Sequence, residues 1–188
     1  MRIRDFLMLV QERLGPLLPP ELRPFQARIR FSLLQIYYWR PSIHYEVWPQ
    51  RKMGRIEVGL HFEGEGEESY RWAAVLAERM PQVQAAASGG LELEEWTPTW
   101  TRLHRSLPLG DPSTGSGQAL DEALAQEVAQ SLATLIQATQ PILEECRSQV
   151  EEETTALPQR PAPPSLPRGR PRYARLRRRR GLGRGPFP

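Results

Sequence analysis

Residues 43–64 read "IHYEVWPQRKMGRIEVGLHFEG". Two runs that alternate branched or aromatic residues with polar ones flank a segment containing Pro49 and Gly54. Successive side chains on a strand point to opposite faces, so this pattern predicts two antiparallel strands, 42–48 and 55–63, joined by a turn. Pairing Trp48 with Arg55 sets Val47 against Ile56, Tyr45 against Val58 and Ile43 against Leu60, which makes one surface apolar. The other surface then collects His44, Glu46, Arg55, Glu57, His61 and Glu63. In that register His44 faces Gly59 and is only diagonal to His61.

Outward from the hairpin, Ile3, Phe6, Leu7, Val10 and Leu14 recur at helical spacing, which predicts a helix over 2–14 ended by Gly15-Pro16. A proline-rich linker follows, and then Phe25, Ile29, Leu33 and Ile36 suit a helix, while the aromatic and branched density of Ile36-Tyr37-Tyr38-Trp39 favours a strand near 31–38. After the hairpin, "ESYRWAAVLAERM" predicts a helix that Pro81 ends or restarts, and Gly89-Gly90 mark a stop. "LELEEW" and "WTRLHRSL" alternate again, with Leu91, Leu93 and Leu103 toward the core and Glu92, Glu94, Arg102 and His104 toward the opposite face. "PLGDPSTGSG" is a connector, and from Gln118 a long amphipathic helix begins that Pro141 is expected to kink or divide. The implied class is α+β: a largely antiparallel sheet of four or five strands with helices on one face, in a single domain over 1–153.

All three histidines of the chain, His44, His61 and His104, fall on one side of that sheet beside several glutamates. Imidazole nitrogen and carboxylate oxygen together suit a divalent metal, which makes His44, His61, Glu63 and His104 candidate ligands. With Glu46, Glu57 and Arg102 added, the same set becomes a candidate catalytic site for metal-dependent hydrolysis. The plainer reading is a solvated charged surface, or a face that binds a protein partner or a second copy. Three histidines beside carboxylates also suit a pH-responsive surface. No glycine-rich phosphate loop, G-x-S-x-G elbow or H-E-x-x-H pair is present, and Lys52 is the only lysine, which leaves no Glu-x-Lys nuclease signature.

Charge is divided unevenly along the chain. Ten of the 25 basic residues, all arginine, lie in 157–188 with no acidic residue, which leaves 15 against 22 acidic residues before them. An acidic body of about −7 thus carries a basic tail. Eight prolines and few apolar residues in 157–188 cannot offset an ordering cost of roughly 1–2 kcal/mol per residue, so 154–188 is expected to be disordered. Arg168, Arg170, Arg172, Arg175, Arg177, Arg178, Arg179, Arg180 and Arg184 supply phosphate contacts, and Tyr173 a stacking surface, for nucleic acid. The single Cys146 excludes an internal disulfide and fits a reducing cytoplasm, and no apolar run is long enough to span a membrane.

Taken together, "GRIEVGLHFEG", "AAVLAERMPQVQ", "GGLELEEW", "TRLHRSLPL" and the final helix, about residues 42–150, resemble an uncharacterised prokaryotic α+β domain often appended to restriction-endonuclease-like proteins. The resemblance implies an association with nucleic-acid metabolism and supplies no catalytic residues. The leading expectation is therefore a non-enzymatic binding module with a nucleic-acid-contacting tail.

Overall fold

The computed structural model describes residues 1–65, 67–109 and 120–156. Helix α1 (Ile3–Leu17) leads through a short turn at Pro20–Leu22 to strands β1 (Gln26–Arg30), β2 (Leu33–Tyr37), β3 (Ile43–Gln50) and β4 (Arg55–Phe62). Helices α2 (Glu68–Glu78) and α3 (Met80–Ala86) follow, then β5 (Glu92–Thr97), β6 (Trp100–Pro108) and α4 (Glu122–Ala156). The strands form one antiparallel sheet in the order β1-β2-β3-β4-β6-β5. The α+β class is as expected, but among the described residues the sheet has six strands rather than four or five.

The additional strand lies where a single strand near 31–38 was expected. Residues 26–37 instead form a hairpin whose two-residue loop, Phe31-Ser32, joins Arg30 to its partner Leu33. Sequence alternation is weak there because β1 is an edge strand with no fully buried residue. At β3–β4 the register also differs: Gln50 pairs with Arg55, Trp48 with Glu57, and His44 with His61. The turn is tighter than expected, a short helical turn at Arg51–Met53 closed by Gly54 at φ 61°. The shift is an even number of residues, so every side chain keeps its face and only its partner changes.

The apolar face of the sheet packs against the helices. Leu34, Ile36, Tyr45, Val47, Ile56, Val58, Leu60 and Leu103 are buried there with Phe6, Val10 and Leu14 of α1 and Leu124, Val128, Leu135 and Ile136 of α4. The Tyr45 hydroxyl lies 2.8 Å from Thr139 Oγ1 and 3.1 Å from Gln140 Oε1, which satisfies a polar group inside that layer. Helix α2 is tied to the sheet by Ser69, whose hydroxyl donates to the Phe62 carbonyl at 2.7 Å and accepts from the Thr101 amide at 2.7 Å.

The first helix, expected to end at Gly15-Pro16, and the last, expected to be kinked or divided at Pro141, both continue through their proline. Helix α1 runs past Gly15-Pro16 to Leu17, and α4 is one helix of 35 residues that contains Pro141. In each case the proline and the residue four before it, Glu12 or Gln137, are exposed. The carbonyl left without an intrahelical donor thus lies on the water-facing side, where solvent replaces the missing bond. Helix α4 carries the compact unit Met1–Ala156 past the expected boundary at residue 153. The connector residues 110–117 and the arginine tail from 157, with Arg168 to Arg184 and Tyr173, lie outside the described residues.

Candidate functional site

Strand pairing lines the polar residues up in rungs across the sheet. One rung runs Glu94, Arg102, His61, His44 from β5 to β3. The next runs Glu92, His104, Gly59, Glu46, Gln35, Arg28 from β5 to β1. Gly59 lacks a side chain in the middle of its rung, and the His61 ring folds over the gap: a Cβ on Gly59 would lie 3.2 Å from His61 Nε2 and 2.9 Å from the His104 Cβ. Only glycine admits that close approach without displacing a neighbour. It also separates His104 from the other two histidines.

This face is not the solvated surface that alternation suggested. His44, Glu46, Glu57, His61, Arg102 and His104 are all buried, His61 completely at 0% exposure. Charged groups tolerate such a place only when paired, and most of these are. Arg102 Nη1 donates to Glu57 Oε1 at 2.6 Å, while its Nε and Nη2 both donate to Glu94 Oε1, at 2.9 and 2.5 Å. Glu57 Oε2 accepts from Gln50 at 3.1 Å, and His104 Nε2 lies 3.0 Å from Glu94 Oε1. The Arg102 guanidinium also covers Trp96 at 5.2 Å.

Charge follows from these pairings. Burial pushes Glu57 up, but His61 and Arg102 outweigh it and leave its carboxyl below the usual range. Hydrogen bonding to Arg102 lowers Glu94 as well. Burial, reinforced by Arg102, lowers His104 and keeps its imidazole neutral. His61 goes the other way: burial favours its neutral form, yet Glu57 and Glu63 overcome it and raise the group to about 9.

His44 and His61 are directly opposed, with rings nearly parallel at 17° and centroids 5.5 Å apart. The His44 Nδ1–H donates to the Pro41 carbonyl at 2.8 Å, so Nε2 carries the lone pair and accepts from the Gln35 amide at 2.9 Å. Gln35 is itself set by Arg28, which donates to its Oε1 at 2.7 Å, and it also donates to Glu46 at 3.1 Å. His61 has no such partners. Its Nε2 is 3.6 Å from Glu57 and its Nδ1 is 3.8 Å from Glu63, distances of charge attraction beyond hydrogen bonding, and among the described residues neither ring nitrogen has a hydrogen-bond partner.

Ligand atoms of His44, His61 and Glu63 all lie within 4.8 Å of one another. The fourth candidate ligand, His104, is not in that group and is held instead by Glu94. Glu57 and Arg102, candidates for acid-base and anion-stabilising roles, are spent on each other. Sequence reasoning missed Gln35, Arg28, Gln50 and Trp96, the last with its ring edge-on to His61 at 5.2 Å. Alternation could have found Gln35 and Arg28, had β1 and β2 been recognised as a hairpin.

At the free end of that hairpin Phe31 is 98% exposed and takes a left-handed φ of 52°. Arg30 beside it is exposed, and the Arg28 guanidinium covers the Tyr37 ring at 5.8 Å. From Leu22 to Tyr45 the chain has no acidic residue and carries Arg23, Arg28, Arg30 and Arg40, a basic stretch within an otherwise acidic body. That composition was readable from the sequence beforehand. Comparison with family models, curated proteins and solved structures finds no match to the chain.

Proposed function

We propose that this protein is a non-enzymatic binding module that contacts single-stranded nucleic acid through its arginine tail and through the tip of the β1–β2 hairpin. The observation that carries the reading is Phe31: a fully exposed aromatic ring held at a backbone angle normally left to glycine, next to the exposed Arg30 in an acid-free stretch that carries four arginines. An exposed ring offers a stacking surface to any base, and neighbouring guanidinium groups take the phosphates. The ten tail arginines supply the same chemistry in larger amount. The likeness of residues 42–150 to a domain appended to restriction-endonuclease-like proteins points in the same direction.

The hydrolytic alternative is favoured by the approach of His44, His61 and Glu63. Against it, Glu57 and Arg102, which would serve as base and as anion stabiliser, hold each other in a buried pair. The binding reading therefore uses more of what is present.

Fluorescence anisotropy with a labelled single-stranded oligonucleotide tests the proposal, using the full chain, a chain ending at Ala156, and Phe31→Ala in each. The full chain is expected to bind with a steep salt dependence, up to a slope of about −7 in log K against log salt if all ten tail arginines engage. Removal of the tail should flatten the slope, and Phe31→Ala should weaken what remains. No binding by the full chain, or binding indifferent to both changes, sinks the reading.

A further inference from the structure

His61 poses a problem that the nucleic-acid reading does not touch. A completely buried imidazole with neither ring nitrogen hydrogen-bonded to any described residue is uncommon, because each unsatisfied polar atom carries the full desolvation penalty. Buried polar groups that stay unpaired call for an explanation, and here the surroundings offer one. Its neighbours are electron-pair donors rather than proton donors: Glu63 at 3.8 Å from Nδ1, Glu57 at 3.6 Å from Nε2, and His44 stacked alongside.

We propose that His44, His61 and Glu63 form a binding site for a first-row transition-metal dication such as Zn2+. Two imidazoles and one carboxylate are a complete protein ligand set for such an ion, and ligand atoms within 4.8 Å of one another reach bonds of about 2 Å to a common centre once the two rings, now nearly parallel, turn toward it. His44 has the arrangement of a metal-ligating histidine: its Nδ1–H is anchored to the Pro41 carbonyl, which fixes the tautomer and the ring plane and leaves Nε2 with the lone pair a ligand needs. The Gln35 amide that now donates to this nitrogen stands where a cation would accept the same lone pair, and Arg28 holds Gln35 in reserve for Glu46. Glu46, 3.6 Å from His44 Nε2, adds negative charge next to the ligands. Gly59 completes the design by letting the His61 ring lie flat against the sheet within reach of His44. Mg2+ is not the expected occupant, since it prefers all-oxygen, water-rich surroundings.

The experiment uses the full-length chain, freed of any histidine tag and dialysed against chelator. Zn2+ is added in a calorimetric titration and Co2+ in a spectroscopic one, with Mg2+ as control. One equivalent of Zn2+ and of Co2+ is expected to bind, Co2+ with ligand-field bands in the visible and Zn2+ with a rise in the thermal unfolding midpoint. His44→Gln and Glu63→Gln should each weaken binding by at least about tenfold, as loss of one of three ligands implies, whereas His104→Gln should leave it unchanged. Glu63 lies at the rim of the cluster with its side chain 25% exposed, so Glu63→Gln reports on the site even if the histidine variants fold poorly. Absence of stoichiometric binding overturns the proposal. So does binding that survives Glu63→Gln and His44→Gln undiminished, or that His104→Gln abolishes equally.

Discussion

At the scale of single residues, Phe31, Gly59 and His61 each break a local rule. A bulky L-residue in the left-handed region costs of order 1–2 kcal/mol, and Phe31 has no buried contact to offset it, at 98% exposure. Phe31→Gly is therefore expected to raise stability by about 0.5–1 kcal/mol in urea unfolding while weakening oligonucleotide binding. A loss of stability on that change would mean that the ring contributes to the fold. Gly59 was legible in the sequence as an interruption of β4, but its reason was not. What demands it is the His104 Cβ, which a strand more than forty residues later in the chain places only 2.9 Å from where a Gly59 Cβ would sit. His61 was legible as a polar-face residue, whereas its complete burial depends on the rings and carboxylates around it.

At the scale of elements, the β3–β4 hairpin shows what alternation can and cannot convey. Period-two patterning identifies faces, so the division into an apolar and a polar side survives the register error intact. Register depends on the turn, and a four-residue turn ending in left-handed Gly54 brings Gln50, not Trp48, opposite Arg55. That shift converts His44 and His61 from diagonal neighbours into a facing pair. Helix α4 makes the complementary point. Periodicity marked its length, and only tertiary packing showed that Gln137 and Pro141 fall on its exposed side, where an unpaired carbonyl is tolerated. Pro141→Ala should accordingly stabilise the protein by about 1–3 kcal/mol, read as a higher urea midpoint with unchanged slope. A decrease would show that the proline fits a bend that the packing requires.

At the scale of the whole molecule, the buried ion pairs predict how stability follows pH. Glu57 and Glu94 are held below their ordinary values, so they favour the folded state fully above the usual carboxylate range, and that contribution is lost as pH falls through the lowered values. His104 acts in the same direction but earlier. Its folded value is depressed by burial and Arg102, so below its ordinary value of 6.5 the unfolded chain takes up a proton that the fold refuses. His61, raised to about 9 by Glu57 and Glu63, acts oppositely and adds stability as pH falls from about 9 toward 6.5. Metal-free protein is therefore expected to lose stability in two stages only below that window, a shallow one under the ordinary histidine value and a steeper one in the carboxylate range. His104→Gln should remove the first stage and leave the second. Identical pH dependence of the urea midpoint in the parent and in His104→Gln between the ordinary histidine value and the carboxylate range would contradict the assignment.

By itself the sequence determined the class of fold, the residues that share the polar face, and the separation of an acidic body from an arginine tail. These follow from local periodicity and from charge, which need no knowledge of distant partners. The tertiary structure alone decided that the face is buried rather than wet, that Arg102 and Glu57 neutralise each other, and that His44 and His61 meet beside Glu63 while His104 does not. The Arg102–Glu57 pair and the place of His104 depend on β4 pairing with the distant β6, and the meeting of His44 and His61 on the register that the β3–β4 turn sets, where a change of two residues alters every partner without altering a single face.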